Sequence, residues 1–184
     1  MTRATLLCCA LLLLASCGGD DADEAATTST AAAAGETTVT ATEAPSGDVV
    51  AITADPCTLL TADEVAAATG LAVAEVIPDG TTTCVFDLGA EAGVDIFITV
   101  DDGAGRMTSP SAVYADYAAR VGDGAAEAIA GVGAAAVYDS GFRAIAVDAG
   151  GGQFFVVGVN GGYQELEDPR DALVSLAQAA VGRL

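Results

Sequence analysis

The sequence contains no histidine, no lysine and no tryptophan. The absence of His and Lys removes the commonest general bases, Schiff-base chemistry and histidine-ligated metal sites. The basic residues number 6, all of them arginine, against 26 Asp and Glu residues, which gives a formal net charge of −20 at pH 7. A chain this acidic repels phosphate backbones, so we expect no nucleic acid among its partners.

Long hydrophobic runs are also scarce, and the clearest one lies near the N-terminus, from Leu6 to Ala15, after a positive charge at Arg3. A membrane-spanning helix needs about 20 apolar residues, so this run is too short to remain as one. A charged start, a short apolar run and small residues before a break are typical of a secretory signal peptide. We therefore predict a signal peptide over residues 1–16.

The run ends in Leu14-Ala15-Ser16-Cys17, which resembles the lipobox of bacterial lipoproteins. In such proteins the cysteine thiol receives a diacylglyceryl group, and a peptidase cuts the chain just before it. The resemblance implies a lipid attached at Cys17 and an exported chain anchored at the outer face of the cell membrane. Two acyl chains, such as palmitate, suffice for stable anchoring. The alternative is an ordinary signal peptide cut nearby, which would leave Cys17 as an unpaired thiol.

The cysteine count agrees with export. Of the five cysteines, Cys8 and Cys9 lie in the predicted signal peptide and Cys17 is the predicted lipid site, which leaves Cys57 and Cys84. An even remainder in an exported chain predicts one disulfide. A redox centre built from the same two residues is the alternative, but such centres usually have closely spaced cysteines.

A change in composition separates a tether from a domain. From Gly18 to Asp48 the chain is rich in Gly, Ala, Thr and acidic residues, and it has no aromatic residue. Such a segment buries too little apolar surface to offset the entropy of ordering. We predict a disordered acidic and Thr-rich tether over residues 17–48, either plain or O-glycosylated, and a single globular domain over residues 49–184.

The domain alternates between helical and strand patterns. Thr61 and Glu64 form a Thr-x-x-Glu capping box, and Gly70 is placed to end the helix that follows. Ser109 and Pro110 open a second helix, with Val113, Tyr117 and Val121 expected on its inner face. A third helix starts at Asp168 and carries an apolar face, with the residues Leu173, Leu176, Ala177, Ala180, Val181 and Leu184.

Six strands are predicted between these helices, over residues 71–77, 84–88, 94–100, 134–138, 142–148 and 153–159. Alternation of apolar residues and Gly-rich turns supports them. Residues 125–130 are predicted to add a turn of helix. Short turns between consecutive strands indicate antiparallel pairing. The expected fold is α+β, a mainly antiparallel sheet with packed helices in the order helix, three strands, helix, three strands, helix.

Several short motifs in the domain form a set: Asp55-Pro56-Cys57-Thr58-Leu59-Leu60-Thr61, Glu64, Cys84-Val85-Phe86, and Gly131-Val132-Gly133 with Ala135 and Ala136. Together they resemble an uncharacterised family of exported actinobacterial lipoproteins. Phe86 stands where the family usually has tryptophan. The resemblance covers about residues 49–184 and implies a sensor-like or ligand-binding-like domain with Cys57 and Cys84 paired. It implies no catalytic residue, because the family has no assigned chemistry.

Three further motifs have a functional and a plain interpretation. The Gly131-Val132-Gly133 segment superficially matches a dinucleotide loop, but it precedes a predicted strand instead of following one, so we interpret it as a turn. Asp101-Asp102-Gly103 offers oxygen ligands for Ca²⁺, although it lacks the spaced series of a dedicated loop, and an exposed turn is expected. Ser140 has no His or Lys to activate it.

Two functions from different classes remain. The first is a membrane-anchored lipoprotein whose domain binds an envelope protein or a small ligand without catalysis, with no cofactor and no metal. The second is an envelope hydrolase that uses only Asp and Glu. Two converging, poorly solvated carboxylates in a cleft would favour the hydrolase, and an acidic surface without such a pair would favour binding.

Overall fold

The computed structural model of the chain describes residues 48–161, 166 and 168–184. The predicted signal peptide, the lipid site Cys17 and all of the predicted tether except Asp48 lie outside these residues. In the described part of the chain, no helix has the length and apolar character needed to cross a membrane.

Seven strands and four helices make up the described part. The strands are β1 (Glu75–Asp79), β2 (Thr83–Asp87), β3 (Val94–Val100), β4 (Ala126–Ile129), β5 (Ala135–Asp139), β6 (Ala144–Gly150) and β7 (Gln153–Gly161). The helices are α1 (Pro56–Leu59), α2 (Ala62–Thr69), α3 (Pro110–Ala119) and α4 (Arg170–Val181).

The strands form one antiparallel sheet in the order β1-β2-β3-β7-β6-β5-β4. Two runs of consecutive strands, β1 to β3 and β4 to β7, are joined in the middle of the sheet by the pairing of β3 with β7. The predicted α+β class with a mainly antiparallel sheet is confirmed. The element order differs, because two helices come first and four strands follow α3.

One face of the sheet carries the larger part of the core, under α1, α2 and α4. Alternate residues of β3 point to this face, and Val94, Ile96, Ile98 and Val100 are all buried. The helices contribute Leu59, Val65, Leu173, Leu176, Ala177 and Ala180 to the same cluster, and Leu60, between α1 and α2, joins them. The apolar face predicted for the last helix is therefore the buried one, although Val181 is half-buried and Leu184 is exposed.

The first two helices are joined to the rest of the domain by covalent and polar links. The predicted disulfide is present, and it connects Cys57 of α1 with Cys84 of β2. Near the end of α4, Arg183 donates hydrogen bonds to the Leu59 carbonyl oxygen at 2.8 Å and to the Glu64 carboxylate at 2.6 Å. The bond from Arg183 is the largest cause that lowers the pKa of Glu64, to about 2. The attraction between the two groups therefore persists at mildly acidic pH and is lost only as the pH falls toward 2.

The local signals at the ends of α2 and at the start of α3 are confirmed, whereas α4 begins at Arg170, two residues after the predicted Asp168. The Thr61 hydroxyl accepts a hydrogen bond from the Glu64 backbone N–H, and the Glu64 carboxylate accepts one from the Thr61 N–H. Gly70 follows α2 in a left-handed conformation, with φ of 73°. Ser109 caps α3 and Pro110 is its first residue.

Residues 125–130 do not add a turn of helix, and this prediction is wrong. Ala126–Ile129 form the edge strand β4, which pairs with β5. The segment is rich in alanine, which favours helices, but its backbone groups find partners on β5, and tertiary pairing overrides a weak local preference. Residues 142 and 143, predicted as strand, lie in the turn before β6.

Candidate functional site

The second face of the sheet is only partly covered. Helix α3 packs on this face against β5, β6 and β7. The corresponding face of β1, β2 and β3 carries no helix among the described residues: alternate residues of β2 and β3 are half-buried, and all five residues of β1 are exposed. We call this part of the sheet the open face, formed by Glu75, Ile77, Asp79, Thr83, Val85, Asp87, Asp95, Phe97 and Thr99.

An apolar row crosses the open face. Ile77 pairs directly with Val85, and Val85 pairs with Phe97, so the three side chains lie side by side. The row continues to Gly158 on β7, where an added Cβ would lie 2.5 Å from the Phe97 ring. The glycine therefore leaves room for the Phe97 ring to lie against β7. Ile77 exposes 39% of its surface, so the row is accessible at the outer edge of the sheet.

An acidic row runs beside the apolar one. Glu75 pairs with Asp87, Asp87 pairs with Asp95, and Asp95 pairs with Asn160. Burial raises the pKa of Asp95, and the negative charge of Asp87 raises it further. Like charges directly opposite each other on neighbouring strands destabilise a sheet, so this row costs folding energy at neutral pH.

A cleft of about 260 Å³ lies where the sheet meets α3. Its walls combine the open face, α3 and the turn between β5 and β6, and the lining residues are Phe97, Thr99, Thr108, Pro110, Val113, Tyr117, Phe142, Ala144, Val156, Val159 and Asn160. The cleft shares Phe97 and Thr99 with the open face, so the two form one continuous surface.

The Phe142 ring is held at the cleft by stacking on Tyr117 and by a cation–π contact with Arg120. Its ring stacks on Tyr117 with centroids 5.8 Å apart, and the Arg120 guanidinium lies 5.2 Å from the Phe142 centroid and 5.0 Å from that of Tyr117. The buried Asp139 fixes Arg120 through an ion pair of 2.8 Å. Phe142 is nevertheless 62% exposed, so a large apolar side chain is presented to solvent in a fixed position.

The hydroxyl of Tyr117 is no acid or base at neutral pH. Burial, followed by the charge of Asp139, raises the pKa of Tyr117 to about 12. Its ring is thus a neutral part of the cleft wall.

The expected inner face of α3 is confirmed in part, since Val113, Tyr117 and Val121 all pack against one cluster, to which Tyr114 also belongs. Tyr114 and Tyr117 are buried, whereas Val113 and Val121 are half-buried. The Tyr114 ring packs 5.6 Å from that of Phe154 on β7. Val113 packs against the same cluster and also lines the cleft.

Asp101 was expected in an exposed turn, and this is wrong, because its surface is 0% exposed. Its carboxylate accepts hydrogen bonds from the backbone N–H groups of Ser111 and Gly103, both at 2.9 Å. The first of these bonds satisfies the N-terminal turn of α3 with a negative charge. The Asp102 carboxylate pairs with Arg106. Across residues 48–161, 166 and 168–184, no group of three or more His, Cys, Asp or Glu side chains is placed to hold a metal ion.

The other two motifs have structural roles. The Gly131-Val132-Gly133 segment forms the turn between β4 and β5, as predicted. The Ser140 hydroxyl donates a hydrogen bond to the Ala125 carbonyl oxygen at 3.2 Å.

A larger depression of about 500 Å³ lies at one end of the sheet, between residues 51–56 and the turn after β1. Its carboxylates are Asp55 and Asp102. Asp55 caps α1 by accepting a hydrogen bond from the Cys57 N–H, and Asp102 is paired with Arg106. Among the residues that the structure describes, no aromatic side chain lines this depression, whereas Phe97, Tyr117 and Phe142 line the cleft beside the open face.

Comparison with known proteins identifies a family whose function is unknown. Residues 12–183 match the model of a family described as "Protein of unknown function (DUF3558)". No curated protein and no solved structure matches the chain.

Proposed function

Since this chain belongs to the DUF3558 family of proteins of unknown function, we propose its function from its own residues: it is a lipid-anchored envelope protein whose domain binds a partner protein or a small ligand without catalysis. The binding surface is the open face together with the adjoining cleft. The finer resemblance, to exported actinobacterial lipoproteins, belongs to this proposal.

The observation that carries the proposal is the unequal covering of the two sheet faces. Three helices bury one face, whereas the other keeps an apolar row, an acidic row and an exposed Phe142 around a cleft. Exposed apolar groups bordered by polar ones are typical of interaction sites. Rigid aromatic side chains, as in the Tyr117 and Phe142 stack, are common energetic centres of such sites.

The placement of the acids favours binding over hydrolysis. The buried carboxylates Asp101 and Asp139 are each occupied, by backbone N–H groups and by Arg120. The alternative, a hydrolase using only Asp and Glu, would depend on Asp87 and Asp95. These two lie on a sheet surface and not in an enclosed cleft, so little excludes water or holds a substrate between them.

The anchor is proposed at Cys17, on the lipobox-like Leu14-Ala15-Ser16-Cys17. Replacing Cys17 with Ala is expected to release the protein from membranes or to leave the precursor uncut, because no other sulfur lies at that site. Membrane fractionation and the mass of the N-terminal fragment measure this. Cys8→Ala is the matched control and should leave processing unchanged. A Cys17→Ala protein that is cut normally and stays membrane-bound would contradict the lipid anchor.

The binding surface is tested by photocrosslinking from Val85, at the centre of the open face. A benzoylphenylalanine at position 85 of the full chain, activated in cells of the protein's own host, is expected to form an adduct with a protein or a smaller molecule. Ser175 is the control position, since it is exposed on α4 at the opposite face. Equal labelling from the two positions, or none from 85, would reject binding at the open face.

A further inference from the structure

We infer that the occupant of the open face is a segment of another protein that carries Lys or Arg along one side and aliphatic side chains along the other. This inference rests on the proposed binding function and names the partner's chemistry.

The open face has the complementary pattern. Its acidic row, Glu75, Asp87 and Asp95, runs across three strands beside its apolar row, Ile77, Val85 and Phe97. The two rows are two residues apart along each strand, a separation of about 7 Å. A segment lying across the strands would place cations over the first row and aliphatic groups over the second.

The described part of this chain supplies no spare cation for the acidic row. Each of its five arginines already contacts an acidic side chain or a carbonyl oxygen of the same domain. The pairs are Arg106 with Asp102, Arg120 with Asp116 and Asp139, Arg143 with the Leu166 carbonyl, Arg170 with Glu127 and Asp171, and Arg183 with Glu64. The segment from Gly18 to Asp48 contains acids and no base. A second copy and the chain's own tether are therefore both poorly matched to this surface.

The acidic row is also the part of the surface that a cationic partner would relieve. Asp87 and Asp95 lie opposite each other, and the pKa of Asp95 is raised by burial and by the charge of Asp87. A Lys or Arg placed between them would replace a repulsion with two attractions. The repulsion between the two carboxylates is already present in the folded protein, so its relief on binding adds to the binding free energy of the partner.

The cleft beside Phe97 adds an apolar pocket to the same surface. Phe142 projects at its edge while Tyr117 and Arg120 hold it in position. A cleft of about 260 Å³ accommodates an aliphatic or aromatic side chain of the docked segment. Electrostatic complementarity on the strands and an apolar anchor in the cleft together would fix the direction in which the segment lies.

The test uses three fluorescein-labelled 12-residue peptides, of alternating Leu-Lys, Leu-Glu and Ser-Lys. Binding to the full chain in phosphatidylcholine nanodiscs is measured by fluorescence anisotropy at low and high salt, with empty nanodiscs as the blank. The Leu-Lys peptide is expected to bind most tightly, because it alone satisfies both rows. Raising the salt should weaken it by screening the acids.

Two variants locate the binding. Asp87→Asn with Asp95→Asn should weaken Leu-Lys binding about fivefold or more. The melting temperature should not fall, because the change removes a repulsion and an amide oxygen at position 87 can still accept the hydrogen bond from the Gly89 N–H. The control pair, Asp63→Asn with Asp171→Asn, makes the same charge change on exposed positions of α2 and α4, and should alter binding less than about twofold. Ile77→Thr with Val85→Thr should weaken binding about tenfold.

The outcomes separate this inference from the proposed function. Equal losses of peptide affinity in the two double Asp→Asn variants would show that binding depends only on net charge, and would overturn the inference. Equal or tighter binding of the Leu-Glu peptide would overturn it as well. In both cases an adduct formed specifically from position 85 would leave binding at the open face standing, with an occupant of another chemistry. No adduct from position 85, or equal labelling from position 175, would reject binding at the open face itself, whatever the peptides do.

Discussion

Reducing the Cys57–Cys84 disulfide is expected to lower the melting temperature of the domain by about 10 °C or more. The bond closes a loop with a sequence separation of 27. Constraining a loop of this length in the unfolded chain stabilises the folded state by about 3.5 kcal/mol in the chain-entropy model. That is a large part of a typical total stability of about 5 to 15 kcal/mol.

The structure explains why this domain depends on the bond. Cys57 lies in α1, a helix of 4 residues, which is too short to be stable by itself. The disulfide holds α1 and the start of α2 against β2. Many core positions are alanine, which buries little area, and the acidic surface adds self-repulsion.

The measurement is thermal unfolding with and without a reducing agent, followed by circular dichroism. Added salt should restore part of the lost stability in the reduced protein, because it screens the acidic side chains. A Cys57→Ser, Cys84→Ser double variant is the control, and reducing agent should leave its melting temperature unchanged. Free thiols at Cys57 and Cys84 in the protein isolated from its host, or an unchanged melting temperature on reduction, would contradict this account.

Replacing Gly133 with Ala is expected to cost about 3 kcal/mol and to lower the melting temperature by about 10 °C. Gly133 has φ of 58°, a left-handed conformation that side chains disfavour. An added Cβ would also collide with the Asp148 carbonyl oxygen and lie 3.1 Å from the Val147 side chain. The same carbonyl accepts a hydrogen bond of 2.8 Å from the Ala134 N–H, so it has little freedom to move.

Gly131 provides a matched control two residues earlier in the same turn. Its φ is 79°, but an added Cβ would meet nothing within 4 Å. Gly131→Ala should therefore cost only the conformational strain, about 1 kcal/mol, and lower the melting temperature by about 4 °C. Equal losses in the two variants would mean that close packing against β6 is not what requires glycine at position 133.

Elements whose signals are local were predicted well. The capping box of Thr61 and Glu64 lies within four residues, and so does the Ser109-Pro110 start of α3. The alternation in β3 was visible because one face of that strand is apolar. β4 was missed because its alanine-rich segment carries no strand signal of its own, and pairing with β5 decides its conformation.

The candidate site was much less predictable. Asp95, Phe97 and Thr99 alternate with the core residues of β3, and an aromatic residue among polar neighbours was the one available sign of a functional face. Nothing in the order of the residues places Glu75 beside Asp87 or brings Phe142 onto Tyr117. Asp101 looked like an exposed turn residue in the sequence. Its carboxylate accepts a hydrogen bond from the Ser111 N–H, and this group comes near it only when α3 packs on the sheet.

The amino-acid sequence by itself determined the acidic character of the chain, both ends of α2, the start of α3, most strands and the pairing of Cys57 with Cys84. Each follows from composition, from the number of cysteines, or from contacts between residues close in the chain. Only the tertiary structure decided that β3 pairs with β7, and that α3 covers β5 to β7 while β1 to β3 stay open on that face. These features depend on contacts between residues far apart in the chain, whose free energies depend on how whole faces fit together, and no short stretch of sequence encodes that fit.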